Sequence, residues 1–169
     1  MRLRFRDLDT GDVLATLPLE EKEPDVSALE FSPDGQTIAA VVSSASRSML
    51  LLFDAARQKL VHTVVLADEK AINRTPAFSP DGRWLAAVTQ IFPAESERDR
   101  EPSAEDVPQP RIHLVELASG IIRETLVARQ GFTASLCFSP DGKTLASGGY
   151  GRVDLWDVED LSNTSSGPK

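Results

Sequence analysis

The pentapeptide Phe-Ser-Pro-Asp-Gly occurs three times in this chain of 169 residues, beginning at Phe31, Phe78 and Phe138. The copies are therefore spaced by 47 and then by 60 residues. The segments after them are also alike, reading "QTIAAVV", "RWLAAVT" and "KTLASGG". Self-similarity at such a period is typical of repeat architectures, in which each unit buries its apolar face against its neighbours.

Ser-Pro-Asp-Gly is typical of a tight hairpin turn. Proline presets φ at the second position, aspartate accepts hydrogen bonds from nearby backbone amides, and glycine adopts the left-handed conformation at the fourth position. Each copy therefore predicts a turn between two antiparallel strands. We interpret Asp34, Asp81 and Asp141 as caps of their own turns, because three turns in separate repeats cannot converge on one metal ion.

Each repeat contains further strand signals. The runs that follow the turns are apolar with small central residues, which is typical of strands covered on both faces; they span Thr37–Val42, Trp84–Thr89 and Thr144–Ser147. A third strand ends at an acidic residue each time: Asp7, Asp54, Glu116 or Asp157. Turn signals then lead to fourth strands at Val13–Leu17, Leu60–Leu66 and Ile121–Val127. The strands preceding the turns are "VSALEF", "RTPAF" and "TASLCF".

Four short antiparallel strands per repeat, with a period in the forties, are typical of β-propeller blades. The segment 138–159, "FSPDGKTLASGGYGRVDLWDVE", resembles a repeat of the WD-repeat β-propeller family, with Trp156-Asp157 as the dipeptide that names it. The resemblance extends from about Leu3 to Glu159. It implies an all-β partial propeller of about three four-stranded antiparallel blades. With the strands of a blade labelled a to d, the chain reads c-d, then a-b-c-d twice, then a-b-c.

The repeats depart from the family pattern at several positions. The family's Gly-His pair falls near Ala128-Arg129 and its structural aspartate near Tyr150, so both are absent from the best repeat. The tryptophan position is occupied elsewhere by Arg6, Phe53 and Val115. We therefore expect little of the family's hydrogen-bond network, and blades held together mainly by apolar packing.

The pattern divides the chain into three parts. A leading c-d strand pair occupies 1–17, continuous propeller blades occupy 18–160 with a long b-c loop at 91–110, and a flexible polar tail occupies 161–169. Propellers usually close with four to eight blades, since closure removes exposed strand edges. Three interpretations stay open: a segment of a longer propeller, a protomer that closes a six-bladed ring with a second copy, and an open three-blade arc.

The net charge of −8 is concentrated in three segments, at 18–25, 68–70 and 91–110. The resemblance places these segments on one face of the propeller, opposite the FSPDG turns. Their acidic residues are the candidate partner-binding residues: Glu20, Glu21, Glu23, Asp25, Asp68, Glu69, Glu95, Glu97, Asp99, Glu101, Glu105 and Asp106. Such a face favours a basic protein partner and argues against nucleic acid, because phosphate binding requires concentrated Lys and Arg. A tolerated surface insertion is the other interpretation of 91–110.

No catalytic, cofactor-binding or metal site is predicted. His62 and His113 lie in different repeats without cysteine companions, so we interpret both as ordinary strand residues. Cys137 is the only cysteine, which excludes an intramolecular disulfide, and we expect it to be buried. No apolar run approaches the roughly 20 residues of a membrane helix, and the N-terminus lacks the apolar core of a signal peptide. We therefore expect a cytoplasmic protein that does not bind membranes.

The family resemblance favours a non-catalytic module that acts as a protein–protein interaction scaffold. This step is an analogy, since a fold alone does not define a function. The alternative is a sensing or gating propeller appendage of a separately encoded or truncated-away enzyme, similar to TolB-like or peptidase-associated propellers. A propeller hydrolase would need several polar residues converging on the central channel, and the a strands offer only Glu30 and Arg74.

Overall fold

A computed structural model describes residues 2–18, 25–44, 46–69, 71–73, 76–91, 107, 109–129 and 131–159. Fourteen strands lie within these residues: β1 (Arg2–Arg6), β2 (Val13–Pro18), β3 (Asp25–Phe31), β4 (Thr37–Ser43), β5 (Ser48–Asp54), β6 (Lys59–Ala67), β7 (Ile72–Asn73), β8 (Ala77–Phe78), β9 (Trp84–Gln90), β10 (Arg111–Glu116), β11 (Ile121–Val127), β12 (Thr133–Phe138), β13 (Thr144–Gly149) and β14 (Arg152–Asp157). The predicted tail at 161–169 and most of the predicted loop at 91–110 lie outside the described residues.

The strands form antiparallel sheets that follow the repeats. β1 and β2 form a leading hairpin, and β3 to β6 form a four-stranded first blade. In the second blade β7 and β8 both pair with β9, which is followed by β10 and β11. Within residues 131–159 the third blade has three strands, in the order β12, β13, β14. This arrangement confirms the predicted all-β partial propeller.

Apolar clusters hold the blades face to face. Between the first and second blades lie Ala39, Val41, Leu50, Leu52, Val64, Leu66, Phe78, Leu85, Ala87 and Val115. Between the second and third blades lie Trp84, Ala86, Val88, Ile112, Leu114, Leu145 and Val158. Alternate residues of β9 thus enter different clusters, which confirms that this b strand is covered on both faces. Each fully buried Val or Leu contributes about 1.5–3 kcal/mol, so packing between blades dominates their stability.

The FSPDG segments form the predicted a-b turns. In the first copy the Ser32 amide donates to the Thr37 carbonyl at 2.8 Å, and Ser32 Oγ donates to Asp34 Oδ1 at 2.6 Å. The glycines that end the three copies have φ values of 70°, 68° and 73°, the left-handed region that glycine adopts without steric cost. The same serine–aspartate hydrogen bond of 2.6 Å occurs in the second and third copies.

The acidic residues that end the c strands close the c-d turns. Asp7 Oδ1 accepts hydrogen bonds from two backbone amides of its turn, and Asp54 Oδ1 accepts one from the Arg57 amide at 2.7 Å. Glu116 accepts a hydrogen bond from Ser119 Oγ, and Asp157 accepts one from the Glu159 amide. Three of the four acids, Asp7, Asp54 and Asp157, therefore cap the residues that follow them by satisfying backbone amides, whereas Glu116 bonds to side chains.

Two details differ from the prediction. In the second a strand, β8 covers only Ala77–Phe78 of the predicted "RTPAF", whose Arg74 and Thr75 lie outside the described residues, and the additional short strand β7 precedes that segment. The prediction that Cys137 is buried is wrong, since its side chain is exposed. Cys137 pairs with Ala146, which pairs with the exposed Leu155, so all three lie on the face of the third blade that points away from the second.

Candidate functional site

Strand pairing gives each blade two ends with different chemistry. In the first blade the FSPDG turn and the c-d turn lie at one end, where Thr37 pairs with Asp54. The b-c and d-a connections lie at the other end, where Asp25 pairs with Ser43 and Ser48 with Ala67. We refer to these as the turn end and the loop end.

The described acidic candidates lie at the loop end. Asp25 begins β3, whereas Asp68 and Glu69 directly follow β6, and all three are exposed. The other nine candidates lie outside the described residues: Glu20, Glu21, Glu23, Glu95, Glu97, Asp99, Glu101, Glu105 and Asp106. The structure therefore brings three of the twelve candidates to one end of the first blade.

Hydrogen bonds hold the connection that carries Asp68 and Glu69. The Ala71 amide donates to Ser48 Oγ at 3.2 Å, and Ser43 Oγ donates to the Ala71 carbonyl at 3.3 Å. Ser48 is fully buried, and only 4% of Ala71 is exposed. The two acidic side chains thus extend from a connection fixed to the b and c strands of the first blade.

A cleft of about 190 Å³ opens at the turn end, between the FSPDG turns of the second and third blades. Its lining residues are Asp81, Trp84, Phe138, Asp141, Gly142, Lys143, Val158 and Glu159. Sequence reasoning missed this cleft, because its two walls come from different repeats. One signal was available: Trp84 occupies the repeat position that Thr37 and Thr144 fill in the other blades.

Hydrogen bonds favour the charged forms of the two turn aspartates of this cleft, Asp81 and Asp141. A hydrogen bond from Ser139 Oγ, together with one from the Lys143 amide, lowers the pKa of Asp141. Burial alone would raise the pKa of Asp81, but hydrogen bonds from Ser79 Oγ and the Arg83 amide lower it overall.

His113 is part of a buried hydrogen-bonded row across the second blade. Its Nε2 lies 2.9 Å from Thr89 Oγ1 and its Nδ1 lies 3.1 Å from Thr125 Oγ1, so the row joins β9, β10 and β11. Burial, with a smaller contribution from Arg111, lowers the pKa of His113 from 6.5 to about 4. The ring is therefore neutral at pH 7 and links strands, in keeping with its interpretation as a strand residue.

His62 has a packing role between blades. It lies on the d strand of the first blade, against the c-d turn of the second. A Cβ added at Gly120 would lie 2.6 Å from His62 Cγ, so the glycine makes room for the imidazole.

One hydrogen bond in the third blade corrects the expectation that apolar packing acts nearly alone. Trp156 Nε1 donates to Ser147 Oγ at 2.9 Å, and only 3% of Ser147 is exposed. The bond joins the b and c strands inside the cluster shared with the second blade. The tryptophan of the WD dipeptide therefore combines apolar packing with a specific polar contact.

The polar residues near the a strands do not form a catalytic constellation in the described part of the chain. Burial raises the pKa of Glu30, whose Oε2 is buried without a hydrogen-bond partner there. Gln90 Nε2 donates to the Thr133 carbonyl at 2.5 Å, but Gln90 Oε1 is likewise unpartnered. Arg74 lies outside the described residues.

The described residues form neither a metal-binding cluster nor a helix that could span a membrane. No group of three or more His, Cys, Asp and Glu side chains in this part of the chain is arranged to hold a metal ion. None of the described segments forms a helix of the length and apolarity that crossing a bilayer requires.

Comparison with known proteins shows which sequences the chain resembles. Residues 125–157, from within β11 to the end of β14, match the family model described as WD domain, G-beta repeat. An uncharacterized WD repeat-containing protein of Synechocystis is 29% identical over 136 residues, which cover 78% of this chain and 32% of that protein. The chain is thus similar to WD-repeat proteins, most clearly over residues 125–157, and its fold is that of a partial β-propeller.

Solved structures agree on the fold. A chain of hydrazine synthase from Kuenenia stuttgartiensis matches with a TM-score of 0.68 at 20% identity, over 98% of this chain and 49% of that one. A chain of the Mitotic Checkpoint Complex matches with a TM-score of 0.64 at 17% identity, over 92% of this chain and 42% of that one. The Dos1 propeller matches with a TM-score of 0.65 at 19% identity, over 94% of this chain and 39% of that one. The chain thus spans about a third of its Synechocystis relative and less than half of each solved chain. At these identities the likeness shows the fold alone.

Proposed function

We propose that this protein is a non-catalytic interaction module, a stack of propeller blades that holds a protein partner. The observation that carries this proposal is that some polar groups bond within the fold whereas others extend into solvent. Three of the carboxylates that end the c strands cap turns, and His113 bonds strands to one another, whereas Asp25, Asp68 and Glu69 extend into solvent from a fixed end. WD-repeat proteins are in general non-catalytic and bind other proteins, which supports the assignment.

We place the docking surface at the loop end and propose a basic partner. Besides the three described acids there, the sequence contains two acid-rich segments, 18–25, which ends at Asp25, and 91–110. Like charges on one surface raise the association rate of an oppositely charged partner and make binding sensitive to salt. The single thiol of Cys137 is exposed and unpaired, which is compatible with our assignment of this module to the reducing cytoplasm.

Charge reversal at the loop end tests this docking surface. The double variant Asp68→Lys with Glu69→Lys, and each of its single variants, are compared in pull-downs with Glu124→Lys, a charge reversal at an exposed residue in the middle of β11. We expect the double variant, and deletion of Ala94 to Gln109, to lose partners that wild type and Glu124→Lys retain. Equal recovery of every partner by all variants would exclude the loop end as the docking surface.

We further propose that a second copy completes the ring. Among the described residues the third blade ends at the c strand β14, which has one neighbour there, whereas the first and second blades continue to a d strand. Val153 and Leu155 of β14 are 66% and 71% exposed on the face away from the second blade. The chain matches 49% of the hydrazine synthase chain, so two copies correspond in size to that whole chain. In the proposed dimer β2 of each copy adds to β14 of the other as the missing d strand.

A second candidate function is a sensing or gating appendage of a separate enzyme. The observation in its favour is that one solved chain of this fold belongs to an enzyme, hydrazine synthase. The two functions differ in the partner: an appendage would co-purify with an enzyme and change its rate on substrate. Recovery of partners without any change in their enzymatic activity would leave the interaction module as the function.

A further inference from the structure

The cleft at the turn end has the size of a side-chain pocket. Its volume of about 190 Å³ is below the roughly 300–1,000 Å³ of sites that enclose a drug-sized molecule or cofactor. Trp84, Val158 and Phe138 supply its apolar surface, with 7% and 6% of Trp84 and Val158 exposed. Such a floor suits the methylene stem of a long side chain, which packs on apolar surface while its charged end stays near water.

Acidic groups surround this floor on both sides. Asp81 comes from the second FSPDG turn and Asp141 from the third, so one carboxylate lies on each wall. Within each turn, the serine hydroxyl and the following amide both donate to Oδ1. Among the described residues these bonds leave the Oδ2 atoms of Asp81 and Asp141 available as charged acceptors.

The remaining charges of the cleft largely neutralise each other. Lys143 Nζ lies 2.6 Å from Glu159 Oε1, and the two form an ion pair at the rim. Lys143 also attracts Asp141, and Arg83 attracts Asp81. The lining residues nevertheless carry three carboxylates against one ammonium group, so the charge of the cleft is negative. A planar guanidinium has five N–H donors and can serve two carboxylates together, which the compact ammonium group of lysine does less well.

From this arrangement we propose that the turn-end cleft between the second and third blades binds an arginine side chain of a partner peptide. The arginine stem lies against Trp84 and Val158, and its guanidinium bonds to Asp81 and Asp141. This site is at the end of the blades opposite the acidic loops, so it goes beyond the docking surface proposed above. A partner engaged at both ends would gain affinity from the second contact.

The first blade provides a matched control for this site. Asp34 belongs to an identical FSPDG turn and accepts the same bonds, from Ser32 Oγ at 2.6 Å and from the Gln36 amide at 2.9 Å. Its repeat has Thr37 where the second blade has Trp84. An aspartate-to-asparagine change at Asp34 therefore alters a turn in the same way without touching the cleft.

Titration of the full chain with a defined peptide tests the proposal. The probe is Ac-Gly-Leu-Arg-Leu-Gly-amide, followed by NMR through the Trp84 indole N–H and the Gly82 and Gly142 amides. We expect shifts at these three groups, about tenfold weaker binding for Asp81→Asn with Asp141→Asn, and less than about twofold change for Asp34→Asn. The same peptide with citrulline in place of arginine should bind at least about tenfold more weakly.

Several outcomes would overturn the proposal. Shifts confined to the loop end, equal binding of the citrulline peptide, or no shift at millimolar peptide would each do so, as would equal weakening by Asp34→Asn. If the double variant does not fold, wild type still decides the matter. Raising the ionic strength from about 0.1 M to about 1 M must weaken binding of the arginine peptide but not binding of the citrulline peptide. None of these results depends on whether the loop end binds a partner.

Discussion

At the scale of single residues, polar side chains in this protein act mainly on their own blade. The turn aspartates bond to a serine hydroxyl and a backbone amide, and three of the acids that end the c strands cap the residues that follow them. Two longer links, Trp156 to Ser147 and His113 to its two threonines, cross between strands. The following two predictions concern these links.

The Trp156–Ser147 bond contributes a measurable part of the stability of the third blade. Trp156→Phe retains an aromatic ring but leaves the buried Ser147 hydroxyl without its donor, so we expect a loss of about 1–2 kcal/mol in the free energy of unfolding. Ser147→Ala should cost a similar amount. In a double-mutant cycle measured by urea unfolding, the coupling energy should be about 1 kcal/mol. Additive effects would show that the hydrogen bond contributes nothing.

His113 should make stability depend on pH. Its folded pKa of about 4 lies below the ordinary 6.5, so the unfolded chain binds more protons between these values and stability falls as the pH falls through them. From pH 7 to pH 5 we expect a loss of about 2 kcal/mol from this residue. Urea unfolding of wild type and of His113→Leu at both pH values measures this change in the free energy of unfolding. The variant must lose correspondingly less stability on acidification; an equal loss in both proteins contradicts the assignment.

At the scale of secondary-structure elements, the FSPDG period made most strands predictable. β4, β9, β11 and β13 lie within two residues of their predicted bounds, because turn residues and acidic caps mark both ends of each strand. The additional strand β7 and the exposure of Cys137 were less accessible to such reasoning. Both depend on what lies beside a strand, which a pattern within one repeat does not contain.

Prediction of the candidate sites from sequence was limited in the same way. Asp25, Asp68 and Glu69 could be assigned to one end from sequence, because antiparallel pairing determines where connections emerge. The turn-end cleft could not, since Asp81 and Asp141 lie in different repeats and meet only when blades pack. A local anomaly, a tryptophan at position 84 instead of threonine, was its one trace in the sequence.

The b-c turn of the third blade provides a test at this scale. A Cβ at Gly149 would overlap the Phe132 carbonyl, so β12 and β13 can approach only with glycine there. We expect Gly149→Ala to cost about 3 kcal/mol, because the backbone must move. Gly151, two residues later, has φ +67° and open space, so Gly151→Ala should cost only about 1 kcal/mol through backbone strain. Guanidinium unfolding of both variants compares them; equal losses would contradict the close approach.

At the scale of the whole molecule, the described blades leave one apolar face open. Val153 and Leu155 alternate on β14 with partly buried residues, of which Trp156 packs against the cluster shared with the second blade. Exposed apolar patches of this kind mark association surfaces. Association through a free strand edge is also the usual consequence of an unprotected edge strand.

A charge on this face should prevent association while leaving the fold intact. We expect Leu155→Lys to be monomeric, because a desolvated ammonium group opposes burial of the face. Val127→Lys is the control, since Val127 is also exposed, at 52%, but lies on the d strand of the second blade. Sedimentation velocity compares the association of the two variants. An equal degree of association would show that the open face of the third blade is not the contact surface.

Closure by a second copy is tested most directly by the solution mass of the purified chain. Light scattering at micromolar concentration should give twice the 18.4 kDa of one chain, with circular dichroism showing β structure. A folded protein with the mass of a single chain over the whole concentration range would contradict closure of the ring by two copies.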